Sequence, residues 1–320
     1  GDTSFSGSVT GSGDVTKDGA GTLTRTTNSL SLSGAFTVSG GVFDANGQAV
    51  TVTGLTMIDG GTYTAGIGTQ TFNGGLTVAG GTFTGSTGAV DVNGHFTVSS
   101  GTFTAPNASG SFTVSGNFAH TSGTFSHNSG TVTLDGTSQT ISGANTFNNL
   151  IKIVSTAATL TFPAGFGNEQ TILGTLTLQG ASGQLLSLRS SIDGTQWRLD
   201  PQGTRTLNYL DVKDSNNLNV TVVNPVTSVD SGNNTNWNFV NTYTWTGALS
   251  TNWGTAGNWD LGEVPGSIDD VVIPDVVNDP VLDASRTTDD LTLSGNLNAS
   301  TFLLTVNGNF IVTGTLSGTG

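Results

Sequence analysis

The sequence contains no cysteine, which excludes disulfides and thiolate metal sites and leaves ladders and packing to stabilise the chain. Charge is almost as scarce. Asp, Glu, Lys and Arg make up 9% of the 320 residues, against roughly 25% in ordinary soluble domains. Cations are the scarcer sign, with 8 Lys and Arg against 22 Asp and Glu and a net charge of -14. That balance argues against a nucleic-acid partner, which demands a basic face, and against attraction to anionic lipid. No apolar run approaches the roughly 20 residues that cross a bilayer, so no membrane insertion is expected of this segment. Apolar stripes at a spacing of three and four are missing as well, and a chain rich in Thr, Val and Gly opposes helix. The sequence opens on Gly1 without an initiator Met or a signal peptide, which leads us to expect a processed product or a portion of something longer.

What the sequence has is a repeat. Gly34, Gly54, Gly74 and Gly94 fall 20 residues apart, and Phe43, Tyr63, Phe83 and Phe103 keep the same step until Phe125 arrives two residues late. Val38, Ile58, Val78 and Val98 form a third column, and Val52, Phe72, Val92 and Phe112 a fourth. Four columns on one period are the signature of a stacked array whose repeats bury their apolar faces against one another. The expected fold is all-β, a parallel β-helix or β-solenoid of about 20 residues per coil. Stacking also accounts for the missing charge, because equivalent residues lie about 4.8 Å apart on successive coils and like charges there repel. Each coil reads as three short strands, for example Ala35 to Ser39, Val42 to Ala45 and Ala49 to Thr53. Alternation points Phe36, Val38, Phe43, Val50 and Val52 inward. Glycine at the corners is expected to supply positive φ. We place the two-residue slip at Gly116.

The string Val15-Thr16-Lys17-Asp18-Gly19-Ala20-Gly21-Thr22-Leu23-Thr24, followed by Leu30-Ser31-Leu32-Ser33-Gly34, resembles the repeat of autotransporter passenger domains. Ile141-Ser142-Gly143-Ala144-Asn145-Thr146-Phe147 is similar to the other half of that repeat. The resemblance extends to filamentous-haemagglutinin-like large surface proteins, and it implies a right-handed parallel β-helix on a bacterial surface. No membrane barrel segment accompanies it, so self-translocation is not implied. We divide the chain into regular coils over 1–148, less regular coils with larger apolar residues over 149–240, and a Trp-containing junction followed by resumed coils over 241–320. The middle part, notably Leu207 to Ser215, resembles pectate-lyase-like β-helices. In the last part Tyr243 to Gly247, Asn258-Trp259-Asp260, Val264-Pro265-Gly266 and Asp269 to Pro274 resemble the opening of a module found in bacterial extracellular proteins. Neither end shows a polar cap, so further copies or further coils of the same protein are the expected partners, end to end.

Each candidate site has a plainer alternative. Arg189, Arg198, Arg205 and Lys213 lie among Asp193, Asp200, Asp211 and Asp214, the carboxylates and cations that a polysaccharide lyase or hydrolase groove requires; the alternative is neighbouring coils neutralising one another. The acidic run Asp269, Asp270, Asp275, Asp279, Asp283, Asp289 and Asp290 offers hard oxygen ligands, and Ca²⁺ at Asp269, Asp270, Asp275 and Asp279 is the expectation set against a solvated acidic face. Trp245, Trp253 and Trp259 form either a platform for surface glycans or a plug where a coil cannot close. Thr62, Thr64, Thr82, Thr84, Thr102 and Thr104 should face outward as a hydroxyl array, or simply as the best uncharged β-formers. His95 and His127 belong in corners, and His120 falls in the inward Val98 column.

The resulting expectation is a non-enzymatic, extracellular structural protein: a rod, fibre or surface-layer segment, on the order of 75 Å long at 4.8 Å per coil. The competing readings are a carbohydrate-active β-helix enzyme and a glycan-binding adhesin module.

Overall fold

The computed structural model describes residues 1–7, 9 and 11–319. Strands of two to nine residues succeed one another along the chain and pair in parallel from one coil to the next. The helical content of the described residues is one 3-10 turn, Ala256–Asn258. The protein is an all-β parallel β-solenoid. Among the described residues no helix is long and apolar enough to cross a membrane. The coils gather into two compact units, Gly1–Trp237 and Asn238–Gly320.

In the first unit three ladders wrap a continuous core. One runs through Phe36–Val38 and Thr56–Ile58, a second through Val42–Asp44 and Thr62–Thr64, and a third through Leu30–Leu32, Val50–Val52, Gln70–Phe72 and Val90–Val92. In two coils the first two strands fuse into single nine-residue strands, Leu76–Thr84 and Phe96–Thr104, with a register shift where they bend. Burial alternates with the pleat, because each β-branched or aromatic residue that points inward is followed by one that points out. Register pairs Phe43 with Tyr63, Tyr63 with Phe83, Phe83 with Phe103 and Phe103 with Phe125. The Tyr63, Phe83 and Phe103 rings stack at 5.0 and 4.8 Å between centroids. Neighbouring rings on a parallel ladder sit close to the optimum for offset stacking, which adds about 0.5–1.5 kcal/mol per pair to the area buried.

Two details differ from the pattern-based reading. Phe112 pairs with Val90, and it is Val114 that continues the Val52, Phe72, Val92 column. The two extra residues therefore lie between Thr104 and Phe112, in the corner that carries Pro106, and not at Gly116. Inward and outward positions alternate with period two, so a shift of two leaves the apolar pattern unchanged and cannot be located from it. Positive φ is supplied by other corner glycines, among them Gly41, Gly47, Gly60, Gly66 and Gly101, and not by the periodic Gly34, Gly54, Gly74 and Gly94. Their constraint is crowding between coils: a Cβ on Gly54 would lie 2.6 Å from the Gly34 carbonyl carbon, and one on Gly94 2.6 Å from the Gly75 nitrogen.

Beyond Phe147 the coils lengthen. Leu150 pairs with Leu176 and Leu178 with Leu207, and the added residues form corner loops outside the ladders. At the other end of this unit Leu30 and Leu32 are buried although their strand is paired on one side only. Polar side chains hold the preceding segment in place: Asp2 accepts from the Thr22 N–H at 2.8 Å, Asp14 from the Ala35 N–H at 2.8 Å, and Arg25 donates to the Gly7 carbonyl at 2.8 Å. The first coil thus has a polar cap that the sequence pattern did not reveal.

The second unit has its own core of Tyr243, Trp245, Trp253, Trp259, Val271, Ile273, Leu282, Leu291, Leu293 and Leu297. Thr242–Thr244, Asp270–Ile273, Leu291–Leu293 and Phe310–Val312 form its longest ladder. Arg286–Thr288 pairs with Leu304–Val306, and Asn296–Asn298 with Thr315–Ser317.

Candidate functional site

The four cations between positions 189 and 213 do not share a groove. Arg189 lies on Leu186–Ser190, Arg198 on Trp197–Pro201 and Arg205 on Arg205–Asn208, strands of three different sheets. Each is held by its own neighbours. Arg189 pairs with Asp211 one coil on, Lys213 with Asp193, and Arg198 with Glu169 at 3.0 Å. Arg205 donates to the Pro201, Thr221 and Val222 carbonyls at 2.6, 3.1 and 3.3 Å. Burial raises the Asp211 pKa, but hydrogen bonds from Arg189 and Ser231 outweigh it, and the carboxyl ends below its usual range. Asp214 is buried, accepting from the Gly194 N–H at 3.0 Å and from Asn233 at 2.7 Å. Asp200 accepts from Gln202 at 2.8 Å and from Asn219 at 3.2 Å. These are pairings between coils and within corners, the arrangement expected of a neutralised ladder.

The acidic run in the second unit separates in the same way. Asp269 is buried and closes a loop, accepting from the Gly266 N–H at 2.9 Å and the Asn241 N–H at 3.1 Å. Asp275 is exposed. Asp279 accepts from Asn296 at 3.0 Å. Asp270 instead joins Asp289 and Asp290, whose carboxylate oxygens and its own lie within 4.8 Å of one another. The four residues expected to bind Ca²⁺ are therefore not brought together. In a stacked array the neighbour of a residue is about 20 positions away, and proximity along the run does not predict it. Asp270 accepts from the Asp290 N–H at 3.2 Å and Asp290 from the Asn309 N–H at 2.5 Å. The same device ties other coils, where Asn117 accepts from the Thr140 N–H at 2.9 Å and His95 Nδ1 from the Asn117 N–H at 3.0 Å.

Trp245, Trp253 and Trp259 are all buried. Trp259 meets Trp253 edge-on at 4.7 Å and Trp245 at 5.0 Å, and the Trp245 and Trp259 indole N–H groups donate to the Asn278 and Trp253 carbonyls at 2.7 and 2.9 Å. No ring face is left for a sugar. The Thr pairs do face outward, and register aligns Thr62, Thr82, Thr102 and Thr124 in one column and Thr64, Thr84, Thr104 and Ser126 in the next. His120 pairs with Val98 and sits half-buried, its ring nitrogens 3.2 Å from the Asn145 side-chain oxygen and 3.3 Å from the Gly123 carbonyl.

The most unusual chemistry is inside the solenoid, where pattern reading expected only apolar residues. Lys152 is fully buried and donates to the Gly136 carbonyl and to the Gln139 side-chain oxygen, both at 2.7 Å. Burial lowers its pKa to about 8, against a smaller opposing pull from Asp135. Gln139 donates in turn to the Val114 and Gly116 carbonyls at 2.8 and 2.6 Å. Asn145 donates to Gln170 at 3.0 Å, and Gln170 to the Gly143 carbonyl at 2.7 Å. Gln70 donates to the Gly68 carbonyl at 2.7 Å and accepts from the buried Tyr63 hydroxyl. Arg25 also donates to the Asn28 carbonyl at 2.8 Å, and burial depresses its pKa. Buried polar groups are tolerated when their hydrogen bonds are made; here they donate to the corner carbonyls of Gly68, Gly116, Gly136 and Gly143, and Gln139 adds a bond to the strand carbonyl of Val114, which also accepts from the Asp135 N–H.

Comparison of the chain with known protein families, with curated proteins and with solved structures finds no match.

Proposed function

We propose that this chain is a structural segment of a bacterial extracellular surface protein, a β-solenoid that sets distance and resists deformation and performs no chemistry of its own. The observation that carries the reading is the use made of its charged and polar side chains. Arg189, Arg198, Lys213, Asp270 and Asp290 each tie one coil or corner to another. The extracellular, bacterial setting rests on the resemblance of Val15 to Gly34 and Ile141 to Phe147 to autotransporter and haemagglutinin-like repeats. A chain without cysteine, stabilised by ladders, suits a surface whose redox state varies. The carbohydrate-active alternative keeps one support, the Asp211–Arg189 pair with its depressed carboxyl pKa. Incubation with uronate and neutral polysaccharides decides between them. We expect no unsaturated or reducing-end products, whereas depolymerisation abolished by Asp211→Asn or Arg198→Ala would replace the structural reading with the enzymatic one.

A further inference from the structure

Phe166 is the most exposed aromatic among the described residues, at 84%. A single apolar side chain at a surface needs no special account, but this one is built into place. Its ring lies over the Arg198 guanidinium, with 4.1 Å from ring centroid to Cζ. Glu169 holds Arg198 at 3.0 Å and itself accepts from the Gly167 N–H at 3.2 Å. The loop that carries the ring is fastened to the next coil, the Ala164 N–H donating to the Ser191 hydroxyl at 3.0 Å and the Gly165 N–H to the Gln196 carbonyl at 2.9 Å. Within the loop the Asn168 side chain donates back to the Ala164 carbonyl at 2.8 Å. Gly165 and Gly167 flank the ring with φ of +81° and +79°, and open space stands where a Cβ would be. Crowding therefore demands glycine at neither position. What the two glycines supply is the left-handed backbone on both sides of Phe166, which a side chain would resist.

We propose that Phe166 is a stacking platform for a neutral glycan, with one β-linked pyranose ring laid on the phenyl face opposite Arg198. Stacking of this kind needs a flat C–H surface, which a pyranose with equatorial substituents provides, and a few polar groups at its rim. Those groups lie on the same sheet face. Asp200 follows Arg198 at the next outward position of Trp197–Pro201, and register sets Thr171 beside Asp200 and Asn216 beside Arg198. Carboxylate, hydroxyl and amide together offer acceptors and donors to sugar hydroxyls. Charge selects a neutral ligand. The guanidinium under the ring opposes a cation on the other face. An acidic sugar gains little from Arg198, which Glu169 already neutralises: a hydrogen bond from its own backbone N–H above all holds the Glu169 carboxyl below its usual range, so it is ionised. The net charge of -14 adds a general repulsion of anions.

The platform goes beyond the scaffold reading, which does not depend on it, and NMR of the whole chain with cellohexaose, xylohexaose and chitohexaose tests it. We expect weak binding of at least one of them, of the order of 1 mM, with saturation transferred to the sugar C–H protons and amide shifts concentrated at Gly165 and Gly167. Phe166→Ala and Phe166→Leu should each weaken it about tenfold or more, that is about 1.4 kcal/mol or more, and Phe166→Trp should retain it. Leucine still covers Arg198, so the loss in Phe166→Leu separates stacking from mere shielding, and an unchanged denaturant midpoint shows that the fold is intact. Failure of all three oligosaccharides to bind overturns the proposal. Binding indifferent to Phe166→Leu overturns it as well, and so does binding confined to an oligogalacturonate and removed by added salt.

Discussion

Single residues in this chain answer to the coil above or below before they answer to their neighbours in sequence. Gly54 illustrates it, since the backbone of Gly34 stands where its side chain would be. Gly54→Ala should cost about 2–4 kcal/mol, because backbone cannot yield as a side-chain tip can. Gly167 has φ of +79° but open space around it, and Gly167→Ala should cost only about 1 kcal/mol. Denaturant unfolding of the two variants distinguishes crowding from conformation. Lys152 supplies a second test. Its folded pKa of about 8 lies below its ordinary value of 10.5. Below pH 8 both folded and unfolded chains hold the proton and the burial penalty is constant. Between about 8 and 10.5 the unfolded chain retains a proton that the folded chain has released, so rising pH favours the fold. The gain should be of the order of 2–3 kcal/mol, and Lys152→Met should remove it, as read from unfolding at stepped pH. The sequence concealed this residue: in Asn149–Ile153 the two isoleucines suggest the inward parity, yet Leu150 and Lys152 are buried and Ile153 is exposed.

At the scale of the element, the period of 20 and the pleat were legible because they repeat in every coil from Gly34 to Phe103. What could not be read was whatever a single coil decides for itself. The position of the two-residue insertion was hidden by the period of two. The fusion of strands in Leu76–Thr84 depends on how one corner bends. The acidic run misled because its residues are neighbours in sequence and not in space, so that Asp270 meets Asp290 and leaves Asp275 behind. The Trp-rich segment 245–259 was legible as a plug or a platform, and the structure places all three rings in the core. Trp259→Ala should destabilise the second unit by about 3–5 kcal/mol, seen as an earlier loss of tryptophan fluorescence on heating. Binding to a glycan array should be unchanged from that of the parent chain, and a selective loss of glycan binding without destabilisation would contradict the core assignment.

At the scale of the molecule, the parallel ladders give the first unit a repeating axial step. Each coil is fixed to the next by three sets of backbone hydrogen bonds and by side chains that reach across one coil, so the axial step is set by strand spacing and not by sequence. Apart from the solenoid itself, the sequence gives little warning of this unit's interior polar chains, because Gln139, Asn145 and Gln170 become visible as core residues only after register is known. The central claim is that these coils hold a constant and rigid spacing. Cysteine is absent, so spin labels can be placed cleanly at Thr37→Cys and Ser187→Cys, on outward positions of strands seven coil steps apart. At about 4.8 Å per step, double electron–electron resonance should give one narrow distance near 35 Å. A broad distribution, or a mean displaced by several coils, would contradict the account.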